Sequence, residues 1–129
     1  MIYHMLARAE NLIERASLVR ATSILDLLAA GWRPGYDELD AVPHVEQWTL
    51  LPRGEGRPYY LIGVVWSLPV KRHVAVSAVL AIDRAAHWAR VWDEWIAIGD
   101  QIDGALPFDA GEVQRAGYEW LLTELRRHE

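Results

Sequence analysis

Residues 87–100 read HWARVWDEWIAIGD and place Trp88, Trp92 and Trp95 within eight positions, three of the chain's seven tryptophans. How this stretch is read decides the fold. As a helix, it sets Trp88, Val91, Trp92, Trp95 and Ile98 near one face, so periodicity alone favours a helix. As a strand it alternates poorly, because Trp92 and Trp95 would point to opposite sides.

The segments just upstream are strands. HVAVSAVLAID (73–83) puts Val74, Val76, Ala78, Leu80 and Ile82 on one face. His73, Ala75, Ser77 and Asp83 lie on the other, with Val79 and Ala81, as in a half-buried strand. YYLIGVVWS (59–67) is apolar on both faces, as expected of a central strand. Before it come a short strand, WTLL (48–51), and a hairpin loop, PRGEGRP (52–58). The GEGR within that loop is no phosphate loop, since no GK[ST] follows and no helix opens after it. Residues 31–47, GWRPGYDELDAVPHVEQ, form a connector with room for one helical turn at 36–42.

The ends are helical. Residues 2–30 predict one long amphipathic helix: Leu6, Ala9, Leu12, Ile13, Ala16 and Val19 recur at three- and four-residue spacing, and Gly31 marks its stop. That stripe is wide enough to pack on the chain's own sheet or also on a second copy. At the other end, Asp109 and Glu112 have capping-box spacing. Val113, Ala116, Trp120, Leu121 and Leu125 form a stripe, and Arg126 and Arg127 suit the negative end of the helix dipole.

Composition sets limits. A chain of 129 residues with 52% hydrophobic residues supports one domain, 1–129, with a real core. There is no cysteine, which excludes disulfides, thiolate metal sites and a thiol nucleophile. The charged N-terminal stretch does not read as a signal peptide, and no apolar run approaches a span of about 20 residues. A cytoplasmic protein without membrane contact is the expectation. Net charge is −5, with 18 acids against 13 bases, and Lys71 is the single lysine. An acidic balance disfavours direct nucleic-acid binding, which needs a basic face. The arginine bias suggests a GC-rich bacterial or phage genome.

The segments LIGVV (61–65), AVLAID (78–83) and HWARVWDEWIAIG (87–99), preceded by GWRPGYDELDAVPHVEQW (31–48), together resemble a small uncharacterised bacterial family found on alphaproteobacterial replicons and mobile elements. That family has a glycine-containing strand, a strand ending in LxALD, and a GWARTxSRWYRLG-like stretch. The resemblance covers residues 31–99. This chain departs from it at Val91, Asp93 and Ile96, where the family has threonine, serine and tyrosine. The resemblance implies a strand at 88–98, paired with 74–82 across the RAAH turn, and brings no activity with it.

No constellation identifies a chemistry. His44 and Glu46 are two ligands without a third. Asp83 and His87 could form an acid–base pair but suit a turn contact better. Ser67 and Ser77 lack a nucleophile elbow. The acids Asp37, Glu38, Asp40, Asp100 and Asp103 read as solvated loop charge. Lys71 and Arg72 are too few for a nucleic-acid footprint. Trp66 and Trp120 belong in a core. If residues 88–98 are a strand, one tryptophan faces away from the core, which makes Arg90, Trp92, Asp93, Glu94 and Trp95 a candidate protein-binding surface.

The expected fold is α+β: a long N-terminal helix, a small antiparallel sheet of about four strands, and a C-terminal helix packed on the sheet. The expected function is a non-catalytic protein-interaction module of mobile-element origin, in the manner of an anti-CRISPR inhibitor of a host nucleoprotein complex. It would have a protein partner, no cofactor and no metal, as a homodimer or a monomer. The alternatives are a small enzyme or ligand-binding domain using His87, Asp83 or His44, and a weak nucleic-acid-binding regulator.

Overall fold

The computed structural model describes residues 14–67 and 71–128, with the side chains of 66–72 left aside. Its elements are α1 (Arg15–Ala29), α2 (Tyr36–Leu39), β1 (His44–Leu51), β2 (Tyr59–Ser67), β3 (Lys71–Asp83), β4 (Trp88–Val91), β5 (Trp95–Ile98) and α3 (Ala110–Arg127). The five strands close into a barrel in the order β1-β2-β3-β4-β5.

The expected open antiparallel sheet of about four strands is therefore corrected. Residues 88–98 are neither one strand nor a helix. They are two short strands joined by a tight turn, in which the Val91 N–H donates to the Glu94 carbonyl at 3.0 Å. Splitting the stretch adds a fifth strand, and five strands joined up-and-down bring the first and last into the same direction. β1 and β5 pair in parallel, with His44 opposite Ala97 and Val45 opposite Ile98. The N–H groups of Ala97 and Gly99 donate to the carbonyls of Pro43 and Val45, both at 2.9 Å. Of the expected N-terminal helix, the described residues show Arg15–Ala29, which begins after an extended Glu14. Residues 2–13 of the expected helix 2–30 lie outside them.

Closure depends on a bulge in β1. Pairing with β2 shifts register between Glu46 and Thr49, and Gln47 takes a left-handed φ of 50°. The kink turns Val45 and Trp48, three residues apart, into the same core. Trp48 is fully buried, and its indole N–H donates to the Gly99 carbonyl at 2.7 Å. Glycine is needed at two close approaches there. A Cβ at Gly63 would lie 2.3 Å from Val45 Cγ1, and one at Gly99 would overlap the Glu46 carboxylate. That carboxylate accepts the Asp100 N–H at 3.0 Å.

Two cores result. One fills the barrel with Val45, Trp48, Leu50, Leu61, Val79 and Ile98. Val113 and Phe108, at the entry to α3, join this cluster and plug one end. The other core lies outside the wall, where α1 supplies Leu18, Leu25 and Leu28 and α3 supplies Trp120 and Leu121 against Leu80, Trp88 and Trp95. A second bulge, between Val79 and Ala81 in the pairing of β3 with β4, switches β3 between the two. Val79 and Ile82 face inward while Leu80 and Ala81 face the helices. Trp120 sits in a core as the sequence predicts; the side chain of Trp66 lies outside the described residues. Asp109 caps α3, its carboxylate accepting the N–H groups of Gly111 at 2.8 Å and Glu112 at 3.2 Å. Within the described residues, no helix is long and apolar enough to cross a membrane.

Candidate functional site

With one end plugged, the opposite end of the barrel remains open. It is formed where β1 and β5 begin and β4 ends, and it holds a cavity of about 430 Å³. Val45, Leu61, Val65, Val91 and Ile96 make its apolar wall, and Ala41, Val42 and Pro43 cover one side. His73, Ser77 and Glu94 are the polar members of the lining.

The space exists because small residues stand where β2 and β3 face the interior. Gly63 pairs with Ala75, and Leu61 with Ser77. A barrel this narrow is ordinarily filled by its own side chains. Here Val45 packs directly on Gly63, but the small side chains of Ala75 and Ser77 leave the filling incomplete toward the mouth. The wall also parts. β3 pairs with β4 only from Val79 to Asp83, whereas its pairing with β2 continues to Lys71. Ser77 and the β4–β5 turn carrying Glu94 therefore border the same opening.

The polar groups there are under tension. Ser77 is 5% exposed, and its hydroxyl oxygen is enclosed with no hydrogen-bond partner. Buried hydroxyls are usually paired, so an orphan in a cavity wall calls for an explanation. Burial first, and then the neighbouring Asp93, raise the Glu94 carboxyl above its ordinary range; Arg90 pulls it partly back. For Arg90, burial lowers the guanidinium from its ordinary value, opposed by Asp93 and Glu94.

The five residues expected as a contact surface are close together in space but divided by burial. Arg90 and Trp95 are each 7% exposed. The Arg90 guanidinium lies 5.3 Å over the Trp95 ring, and its Nε has no partner. Trp95 also meets Trp88 edge-on at 5.4 Å and Trp32 at 6.0 Å. Trp92 and Glu94 are half-buried, and Asp93 is exposed. The crowding of tryptophans therefore serves mainly the packing of helices on the barrel wall.

The other candidates have local roles. Asp83 accepts the Ala86 N–H at 3.0 Å. His87 has a left-handed φ of 61°, and its Nδ1 lies 3.3 Å from the Ile98 carbonyl. Each therefore serves the turn before β4. His44 is exposed at the start of β1. Among the described residues no three of His, Asp and Glu gather as a metal-ligand set.

The mouth was not foreseen from sequence. Its one signal is the small, polar face of β3 (His73, Ala75, Ser77), which reads as a solvent face until barrel closure turns it inward. Comparison with known proteins gives no match: no family model, curated protein or solved structure matches this chain.

Proposed function

We propose that this protein is a non-catalytic binding domain that holds a small, largely apolar molecule in the open end of its barrel. The observation that carries this reading is the cavity itself, apolar on most sides and bordered by an enclosed serine hydroxyl without a partner. Its volume falls within the roughly 300–1,000 Å³ of small-molecule sites, which combine apolar walls with a few polar groups. The reading is non-catalytic because Ser77 has no base bonded to it, and an unactivated serine is a weak nucleophile.

The test is a titration of the 15N-labelled protein with 2-phenylethanol, an aromatic body with a neutral hydroxyl. Saturable shifts at Ala75, Ser77, Val91 and Ile96 are expected, and Ala75→Leu, which fills the cavity, should abolish them while the far-UV spectrum stays unchanged. Shifts that persist in Ala75→Leu, or none in the wild type, would contradict the reading.

A second reading, the protein-interaction module, has one supporting observation: Trp92 stays partly exposed beside exposed Asp93 at the β4–β5 turn. Affinity capture with the wild type and Trp92→Ala tests it. A stoichiometric partner lost on substitution supports it, and an identical captured set contradicts it.

A further inference from the structure

Glu94 sets the chemistry of the mouth. It is the one carboxylate among the described lining residues, which include His73 but neither lysine nor arginine. Its sequence neighbour Asp93 adds a second negative charge at the same turn. The cation acting on Glu94 is Arg90, which is buried and placed over the Trp95 ring. Arg90 favours the Glu94 carboxylate, while burial first and then Asp93 hold the carboxyl above its ordinary range. An anion brought into the cavity would meet the Glu94 carboxylate. A cation there would favour the charged form of Glu94 against the cost of its burial.

We infer that the ligand is an apolar amine, its hydrocarbon body against Leu61, Val91 and Ile96 and its ammonium group at Glu94. This rests on the ligand-binding reading above and names its substrate class. The pairing is selective for physical reasons. A half-buried carboxylate pairs more strongly with an ammonium ion than an exposed one does, because solvent screens it less. An apolar body recovers the hydrophobic contact that the small side chains of Ala75 and Ser77 leave unmade. Asp93, exposed at the rim, adds attraction at a distance without having to touch the ligand.

The experiment compares three molecules of one shape, 2-phenylethylamine, 2-phenylethanol and phenylacetate, by titrating the full 15N-labelled chain at neutral pH. The amine should bind about tenfold more tightly than the alcohol, a difference of ~1.4 kcal/mol, and phenylacetate most weakly. Glu94→Gln should bring the amine down to the level of the alcohol, with an unchanged far-UV spectrum showing that the variant is folded. Binding of the alcohol or acid as tightly as the amine, with shifts at the mouth, would overturn the amine inference and leave the ligand-binding reading standing. So would amine binding that Glu94→Gln does not weaken. Absence of binding by all three would overturn both, as would shifts confined to residues away from Ala75, Val91 and Ile96.

Discussion

Replacing Ser77 by alanine should make this protein more stable. The hydroxyl oxygen is enclosed and makes no hydrogen bond, so the folded state gives up its hydration and gets nothing in return. Leaving a buried polar group unpaired costs about 1–3 kcal/mol. Ser77→Ala removes that cost and leaves the strand geometry intact. Against the gain stand the dispersion contacts of one oxygen atom, a few contacts of about 0.1–0.2 kcal/mol each. The net expectation is a stabilisation of about 1 kcal/mol or more. For 129 residues the unfolding entropy is about 0.27 kcal/mol per kelvin, so Tm should rise by roughly 4 °C per kcal/mol. Calorimetry or reversible urea unfolding measures it. A fall in Tm, or an unchanged midpoint, would mean that the hydroxyl is satisfied in solution and would remove one of the two polar features on which the site rests. The gain in stability should come with weaker binding of 2-phenylethylamine, the usual exchange when a strained functional group is removed.

Three other outcomes follow from the same structure. Asp109→Ala removes the acceptor for the Gly111 and Glu112 N–H groups and should lower stability by about 1 kcal/mol, measured as a urea midpoint; no change would show that the cap is unused. Gly117→Ala places a Cβ 2.9 Å from the Leu80 Cα and carbonyl oxygen, so α3 must lift from β3 at a cost of roughly 1–3 kcal/mol, with a red shift in tryptophan emission as Trp120 is exposed; an unshifted spectrum and midpoint would refute that docking. Glu94→Gln should stabilise the protein at neutral pH. The folded carboxyl is raised above its ordinary value of 4.5, so its favourable contribution is present when protonated and is lost as pH rises from 4.5 through the folded value. The advantage of the variant should therefore shrink to nothing as pH falls below 4.5, and an advantage constant with pH would contradict the cause assigned.

Parts of this fold are legible in the sequence and parts are not, for identifiable reasons. The β2–β3 pair announces itself through an apolar run and an alternating run, and Asp109 marks the start of α3 by its spacing to Glu112. The β4–β5 turn gives no such notice. It contains neither glycine nor proline, and neither Trp92 nor Asp93 has positive φ, so the usual signal of a tight hairpin is missing. The start of β1 is hidden by its bulge, which puts Val45 and Trp48 on one side at a spacing of three, closer to a helical period than to a strand's. The bulge in β3 does the same to Val79 and Ile82. Each irregularity breaks local alternation to achieve closure, a long-range condition that no window of ten residues contains. The candidate site is less legible still. Glu94, Ser77 and Ile96 meet only because of strand register around the barrel, and Ser77 in isolation is an ordinary small residue of a strand.

The cavity exists only if the barrel closes, so closure is the claim to test most directly. In hydrogen exchange followed by NMR, the amides of Ala97 and Gly99 donate to Pro43 and Val45 across the parallel seam. They should be protected to an extent comparable with the amides of the β2–β3 ladder. If both exchange as fast as the amides of the 52–58 loop while β2 and β3 stay protected, the sheet is open, and the cavity and the function proposed for it go with the seam.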